Sequence, residues 1–406
     1  MEFSPLSEQI TKSLSKVYKR EHGIYFTPPT SVQKTLDILK QYMVYVVTVL
    51  EPSCGSCEYI SALQSQDKPL QITSIEYCKE IYDEIAHFNT GNTQILNQDY
   101  ITYKPQTKFD LIIGNPPFYV MKKGDVGPEY HRYFGGRPNI FILFIIKSLQ
   151  LLNKGGILSF ILPKSFTNCL YYNKTREYIY NNFQILNISD CSDDKYIETQ
   201  QDTILFIVKR QDGEIDNSDF VMEVGGYKIL TFKDDIIKLR NLYTNSTNLH
   251  NLGFKVSVGN VVWNQCKDIL TDNVSDTRLI YSSDIKDGNV IKQNYKNEAK
   301  KNHIQKDGIK DIMLVVNRGY GTGKYCFNYC LIDVDYDYLI ENHLICIKYE
   351  LATDRYPFDM VIKSLNDVRT REFIDIYFGN SAMNTTELTH ILPIYQWKIN
   401  CFGLIY

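Results

Sequence analysis

The sequence predicts a doubly wound α/β domain followed by an α+β or mostly β domain. From about residue 44 to 209, short apolar runs rich in β-branched residues alternate with helix-like stretches. Buried strands joined by crossover helices give that pattern. A polar stretch, Arg210 to Glu214 with Asp216, Asn217 and Ser218, then interrupts it, and clean alternation does not return. We expect domains at 1–215 and 216–406, with a linker reaching toward Leu249. A chain of 406 residues accommodates two domains of this size.

The elements follow in order. Ile10, Leu14 and Val17 at helical spacing predict a helix over Ser7 to Arg20, and a second covers Ser31 to Gln41. Val44 to Leu50 reads as a buried strand. Glu51 to Ser56 is a turn, and Tyr59 to Gln64 a helix. Strand Ile72 to Glu76, helix Lys79 to Phe88 and strand Thr93 to Asn97 follow. Phe109 to Gly114 is the next strand, Ile140 to Leu152 a long helix, and Gly156 to Pro163 a further strand. Phe183 to Ser189 and Thr203 to Lys209 complete the series. The rest carries only strand-like runs at Gly259 to Trp263, Arg278 to Tyr281, Met313 to Val316 and Leu344 to Ile347.

Hydrophobic residues make up 44% and charged residues 22%, which excludes disorder and collagen-like repeats. Met43 to Leu50 is too short to span a bilayer, and Lys147 breaks Ile140 to Leu152. No basic apolar leader opens the chain, so we expect a protein that is not secreted, with its ten cysteines reduced. A net charge of −3 neither suggests nor excludes a nucleic-acid partner, because a basic cleft can hide inside a neutral total.

The chemistry concentrates at strand ends. Phe109 to Gly114 runs directly into Asn115-Pro116-Pro117-Phe118. Ligands of open α/β sheets bind at the carboxyl ends of strands. The prolines fix φ and remove two donors. What remains is a rigid pair of acceptors, the Asn115 amide oxygen and the Pro116 carbonyl, beside the flat face of Phe118. That set suits a planar group bearing an NH2. An amino nitrogen conjugated to a ring is a poor nucleophile, and two acceptors on its hydrogens favour a lone pair aimed at an electrophile. The turn Glu51-Pro52-Ser53-Cys54-Gly55 lacks a phosphate cradle and fits a cationic or hydroxylated ligand. Glu76, at the end of the next strand, stands where an acid grips ribose hydroxyls. Asp99, after the third strand, is placed to accept from an adenine amino group.

On these motifs the chain resembles the gamma-class, Taq-type DNA adenine-N6 methyltransferases. The resemblance covers 24–210 in ordered motifs and the rest more loosely. It implies a Rossmann-like methyltransferase domain at 1–215 and a DNA target-recognition domain at 216–406. It assigns S-adenosylmethionine to Tyr25, Thr27, Glu51, Pro52, Cys54, Gly55, Glu76, Tyr77, Asp99, Asn115 and Pro117. It assigns catalysis to Asn115, Pro116, Pro117 and Phe118. Phe118 and Tyr196 would sandwich the extruded adenine. The second domain resembles the family's recognition domains at Gly259 to Trp263, Leu279 to Ile285, Tyr377 to Ser381 and Ile391 to Ile394. The expected partner is double-stranded DNA, with no membrane and no metal. The protein is expected to act as a monomer in a bacterial cytoplasm or in the DNA-containing compartment of a virus-infected cell. A separate cognate restriction endonuclease is left open.

Other readings stand beside it. Cys54-Gly-Ser-Cys57 has the spacing of a redox dithiol, and a zinc site would add Cys326 and Cys330 to it. RNA and protein-glutamine methyltransferases share the Asn-Pro-Pro-aromatic chemistry. Lys122, Lys123, His131, Arg132 and Arg137 alternate with Tyr130, Tyr133 and Phe134, which fits either a solvated loop or a segment that orders on nucleic acid.

Overall fold

The computed structural model describes residues 2–199, 201–319, 327–349, 356–377 and 383–396. These form two compact units, Met1–Ile236 and Ile237–Tyr406.

The first unit is built on seven strands: β1 (Thr48–Glu51), β2 (Gln71–Glu76), β3 (Thr93–Asn97), β4 (Phe109–Gly114), β5 (Leu152–Pro163), β6 (Gln184–Asp190) and β7 (Thr203–Lys209). Their order in the sheet is β3-β2-β1-β4-β5-β7-β6. Strands β1 to β5 pair in parallel, and β7 runs antiparallel between β5 and β6. Its helices are α1 (Pro5–Ser13), α2 (Lys16–His22), α3 (Pro29–Leu39), α4 (Glu58–Gln64), α5 (Lys79–Ile85), α6 (Ile140–Leu151) and α7 (Asn173–Asn182). Successive strand residues point to opposite faces. Accordingly Leu50, Ile112, Leu158 and Phe206 join one core with α6 and α7. Val49, Leu111, Ile157 and Leu205 join another with α1, α3, α4 and α5. This is the doubly wound α/β layer expected from the alternation.

Four local expectations are corrected. The first helix is two: Leu14 is extended, and Ser15 caps α2 by accepting from the Tyr18 N–H. Val44 to Val47 is not strand. Met43–Tyr45 is a 3₁₀ turn with Val44 and Tyr45 exposed, because the neighbours pair with this segment only from Thr48 onward. The side chain of Asp110 takes the N–H groups of Val47 and Thr48 and marks that start. The stretch after 215 is no linker. Asn217 is buried, accepts from the Ile185 N–H at 2.7 Å and donates to the Phe183 carbonyl. It leads into the hairpin Val221–Val224 and Tyr227–Leu230, whose Val221 and Leu230 belong to the α6 core. Gly259 to Trp263 is not strand either; Val261 alone bridges to Glu341, and the strand is the preceding Phe254–Val258.

The second unit carries a four-stranded sheet of Phe254–Val258, Leu344–Tyr349, Met313–Asn317 and Tyr329–Ile332. A second sheet holds Leu270–Thr271, His303–Ile304, Thr277–Ile280 and Tyr338–Ile340. Helices Tyr356–Leu365 and Val368–Tyr377 complete an α+β unit rich in strand. Residues 378–381 of the expected Tyr377 to Ser381 piece, and Cys326, lie outside the described residues. Among the described residues no helix is long and apolar enough to cross a membrane.

Candidate functional site

Strand order reverses between β1 and β4, which opens a crevice at their carboxyl ends. Glu51 ends β1, Glu76 ends β2, Asp99 follows β3 by two residues, and Asn115 directly follows β4. Parallel pairing places all four on one edge of the sheet.

The turn after β1 is wound tightly. Gly55 (φ +51°) and Cys57 (φ +63°) are both left-handed, and a Cβ on Gly55 would press on the Phe26 ring at 3.1 Å. The turn docks on β2: the Cys54 N–H reaches the Ile75 carbonyl at 3.0 Å, and the Gly55 N–H reaches Glu76 at 2.9 Å. Glu76 also accepts from the Cys78 N–H at 2.8 Å. Burial nevertheless pushes the Glu76 carboxyl up to about 7. Glu51 is 2% exposed, and its Oε2 is buried with no hydrogen-bond partner. Burial, reinforced by Cys54, Glu76 and Glu58, raises its carboxyl well above the usual carboxylate range. Two such acids, with no ion-pair partner among the described residues, call for a ligand that brings hydroxyls or positive charge.

The Asn115 side chain is oriented from outside its own strand. Its Nδ2 donates to the Tyr25 carbonyl at 3.2 Å. A carbonyl only accepts, so the amide nitrogen must face Tyr25 and Oδ1 must face away. Oδ1 is buried and makes no hydrogen bond. The Ser53 hydroxyl donates to the Asn115 carbonyl at 3.2 Å and ties this loop to the β1 turn. Gly23, at φ +64°, caps α2 so close to Phe118 that a Cβ there would meet the Phe118 nitrogen at 2.6 Å. Only glycine permits that crossing, which lays α2 and Tyr25 over the Asn-Pro-Pro loop.

These elements enclose a cavity of about 430 Å³. Tyr25, Pro52, Gly55, Glu76, Tyr77, Asp99, Asn115 and Pro117, all among the expected cofactor residues, line it. Asp99 is held by accepting from the Ile101 N–H at 2.8 Å, and Tyr77 is 66% exposed at the rim. Thr27, Glu51, Cys54, Pro116 and Phe118 stand behind or beside the wall rather than on it. Phe118 is half-buried with its ring edge-on to Phe141 at 6.0 Å. Tyr196 is not brought to the cavity. Its hydroxyl is buried beside Thr203, and it lines a separate small recess with Thr11, Lys19 and Phe26.

Sequence reasoning missed part of the wall. Tyr18, Glu21 and His22 come from α2, and Ile140, Leu143 and Phe144 from α6. The apolar run Ile140 to Ile146 that opens α6 was visible but carried no sign of which face met a ligand. The adjoining segment is also corrected: Tyr130, Tyr133 and Phe134 are core residues, and Arg132 packs over the Tyr133 ring at 4.8 Å. Its aromatics are not a surface for stacking. The dithiol reading fails as well. Cys54 and Cys57 are free and buried, and burial raises the Cys54 thiol well above its usual range, the reverse of an activated redox cysteine. Among the described residues no cluster of His, Cys, Asp or Glu could hold a metal ion.

The pocket suits a nucleoside-sized ligand carrying hydroxyls and a cationic end, with the apolar side chains of α6 opposite the acids. Fold and pocket together define a Rossmann-like domain with a ligand site at the strand ends. Residues 9–197 match the family described as Eco57I restriction-modification methylase. The chain is 28% identical over 378 residues to the type II methyltransferase M.CvrRI of Paramecium bursaria Chlorella virus XZ-6E, covering 91% of this chain and 93% of that protein. It is 24% identical over 410 residues to modification methylase CviBIII of Paramecium bursaria Chlorella virus NC1A, covering 97% and 99%. Similarity to type II methyltransferase M.AccI of Acinetobacter calcoaceticus, 27% over 184 residues, spans 43% of this chain and 34% of that protein. Residues 9–197 are thus similar to a restriction-modification methylase, for which S-adenosylmethionine is the implied cofactor.

Proposed function

We propose that the protein methylates N6 of an adenine extruded from duplex DNA. The observation that carries this reading is the Asn115 amide, fixed by Tyr25 so that a buried, unpartnered oxygen faces away at the carboxyl end of β4. When bound, S-adenosylmethionine supplies an electrophilic methyl group on a sulfonium. Glu76 would hold the ribose hydroxyls, Asp99 the adenine amino group, and the Pro52–Gly55 turn, backed by Glu51, the cationic methionine end. Asn115 Oδ1 and the Pro116 carbonyl accept from the two N–H bonds of the target amine. Both acceptors strengthen as positive charge develops on that nitrogen, and its surplus proton then leaves to water. No general base is required. Phe118 offers a face to the target ring, and Gly23 holds the loop in register. N6 of adenine is reachable only outside the base stack, which requires extrusion. We assign sequence reading to the second unit, acting within a monomer. Relatives named as type II and modification methylases support a DNA substrate.

The test is to incubate the protein with labelled S-adenosylmethionine and unmethylated plasmid, then digest and identify the modified nucleoside. N6-methyladenine is expected. Label in cytosine, in RNA or in protein glutamine overturns the assignment.

A further inference from the structure

The second unit holds a strongly basic loop in a chain whose net charge is −3. Between Lys286 and Lys310 there are seven lysines against three acids. Lys286, Lys292, Lys296, Lys306 and Lys310 are exposed. Lys301 pairs with Asp272 and Lys310 lies 4.0 Å from Asp337. Among the described residues Lys286, Lys292, Lys296 and Lys306 make no ion pair.

The loop is anchored from beneath. Arg278 and Asp284 form a buried pair at 2.8 Å. Tyr295, in the middle of the loop, donates to Asp284 at 2.8 Å. Asn302 holds the Gln293 carbonyl at 3.0 Å, and the Tyr281 hydroxyl holds the Lys301 carbonyl at 2.9 Å. Lys300 packs over the rings of Tyr281 at 3.9 Å and Tyr295 at 4.5 Å. The tip, Lys296 to Ala299, is exposed. Exposed ammonium groups without an ion pair among the described residues are thus displayed on a backbone fixed by polar contacts, where a polyanion can pair with them.

We infer that the loop from Lys286 to Lys306 grips the phosphate backbone of duplex DNA and sets the orientation of the second unit on it. This rests on the proposed DNA substrate. Phosphate contacts position without reading sequence, so the loop contributes affinity that is salt-dependent and sequence-independent.

The experiment measures binding of the full chain to a duplex of mixed sequence over a range of salt concentrations, together with methyl transfer to plasmid. The variant combines Lys286→Gln, Lys292→Gln and Lys296→Gln. Lys108→Gln, at the opposite end of β4 from the cavity, is the control. Each phosphate contact contributes about 0.9 to the slope of log affinity against log salt. The triple variant is expected to lose roughly 2 to 3 from that slope, with sequence preference and S-adenosylmethionine affinity unchanged, while the control keeps the wild-type slope. If wild type methylates plasmid but the triple variant keeps its slope, the loop assignment falls and the DNA reading stands. If wild type transfers no methyl to plasmid, or binds RNA more tightly through the same lysines, the DNA reading falls first.

Discussion

Replacing Glu76 by glutamine separates its charge from its shape. Burial moves this carboxyl from 4.5 to about 7. A shift of that size corresponds to on the order of 3 kcal/mol. The folded protein holds the proton more tightly than the unfolded chain. Stability tied to this group is therefore complete below about pH 4.5 and is lost as pH rises through about 7. Glu76→Gln removes that loss but leaves one amide oxygen for two N–H donors, those of Gly55 at 2.9 Å and Cys78 at 2.8 Å. Stranding one buried donor costs about 1–3 kcal/mol. The two effects nearly cancel, so the variant should melt close to wild type at pH 8. Binding should not be spared. A carboxylate bond to a hydroxyl is worth about 1.5–3 kcal/mol against about 0.5–1.5 for a neutral one. Over two ribose hydroxyls the loss is roughly 30- to 150-fold in affinity. Wild-type affinity for S-adenosylmethionine should also weaken as pH falls from 8 to 6, by up to about tenfold per unit below 7, because the proton must leave before the hydroxyls bind. The variant should be flatter, with the remainder belonging to Glu51. Titration calorimetry at pH 6, 7 and 8 reads all of this. Equal affinities for wild type and variant, or a wild-type affinity independent of pH, would refute the ribose assignment.

Further perturbations probe the rest of the site. Asn115→Ala should keep cofactor affinity and lower single-turnover transfer by roughly 10²- to 10³-fold, as loss of one transition-state hydrogen bond does; near-normal transfer would remove Asn115 from catalysis. Gly23→Ala, at φ +64° and against the Phe118 backbone, should lower the melting point by the equivalent of at least about 1 kcal/mol, and an unchanged melt would show that the crossing tolerates a Cβ. Cys54→Ser and Cys57→Ser should methylate equally with and without dithiothreitol, whereas a reductant-dependent rate would revive the dithiol reading. Residues 1–236 alone should still bind S-adenosylmethionine but lose specific DNA affinity, typically roughly 10³- to 10⁷-fold over non-specific binding; retained site selectivity would end the proposed division of labour.

The sheet was legible because buried strands write their own pattern. Thr93–Asn97, Phe109–Gly114 and Thr203–Lys209 fall where their β-branched runs predicted. Strand-end acids were legible for a related reason, since Glu51 and Glu76 each terminate an apolar run. Partnership was not. Val44 and Tyr45 have the composition of a strand, but no neighbour extends to pair with them. Asn217 looked like linker because its hydrogen bonds to Ile185 and Phe183 are tertiary. Tyr196 stands shortly before β7, and position along the chain says nothing about which way a ring turns. In the second unit the strands pair across long intervals, Phe254–Val258 with Leu344–Tyr349, so local periodicity reveals little of their order.

The hydrogen bond from Asn115 to Tyr25 spans 90 residues of chain and settles a choice that packing cannot make. Rotating a carboxamide by half a turn exchanges its oxygen and nitrogen with almost no change in volume. A rotated Asn115 would point two hydrogens at an amine that needs an acceptor, yet the protein would fold and melt as before. The Tyr25 carbonyl is thus a polarity key rather than a brace. A local shift that withdraws this carbonyl while leaving α1 and the Gly23 crossing in place should, under the proposed mechanism, silence the chemistry and leave the fold native.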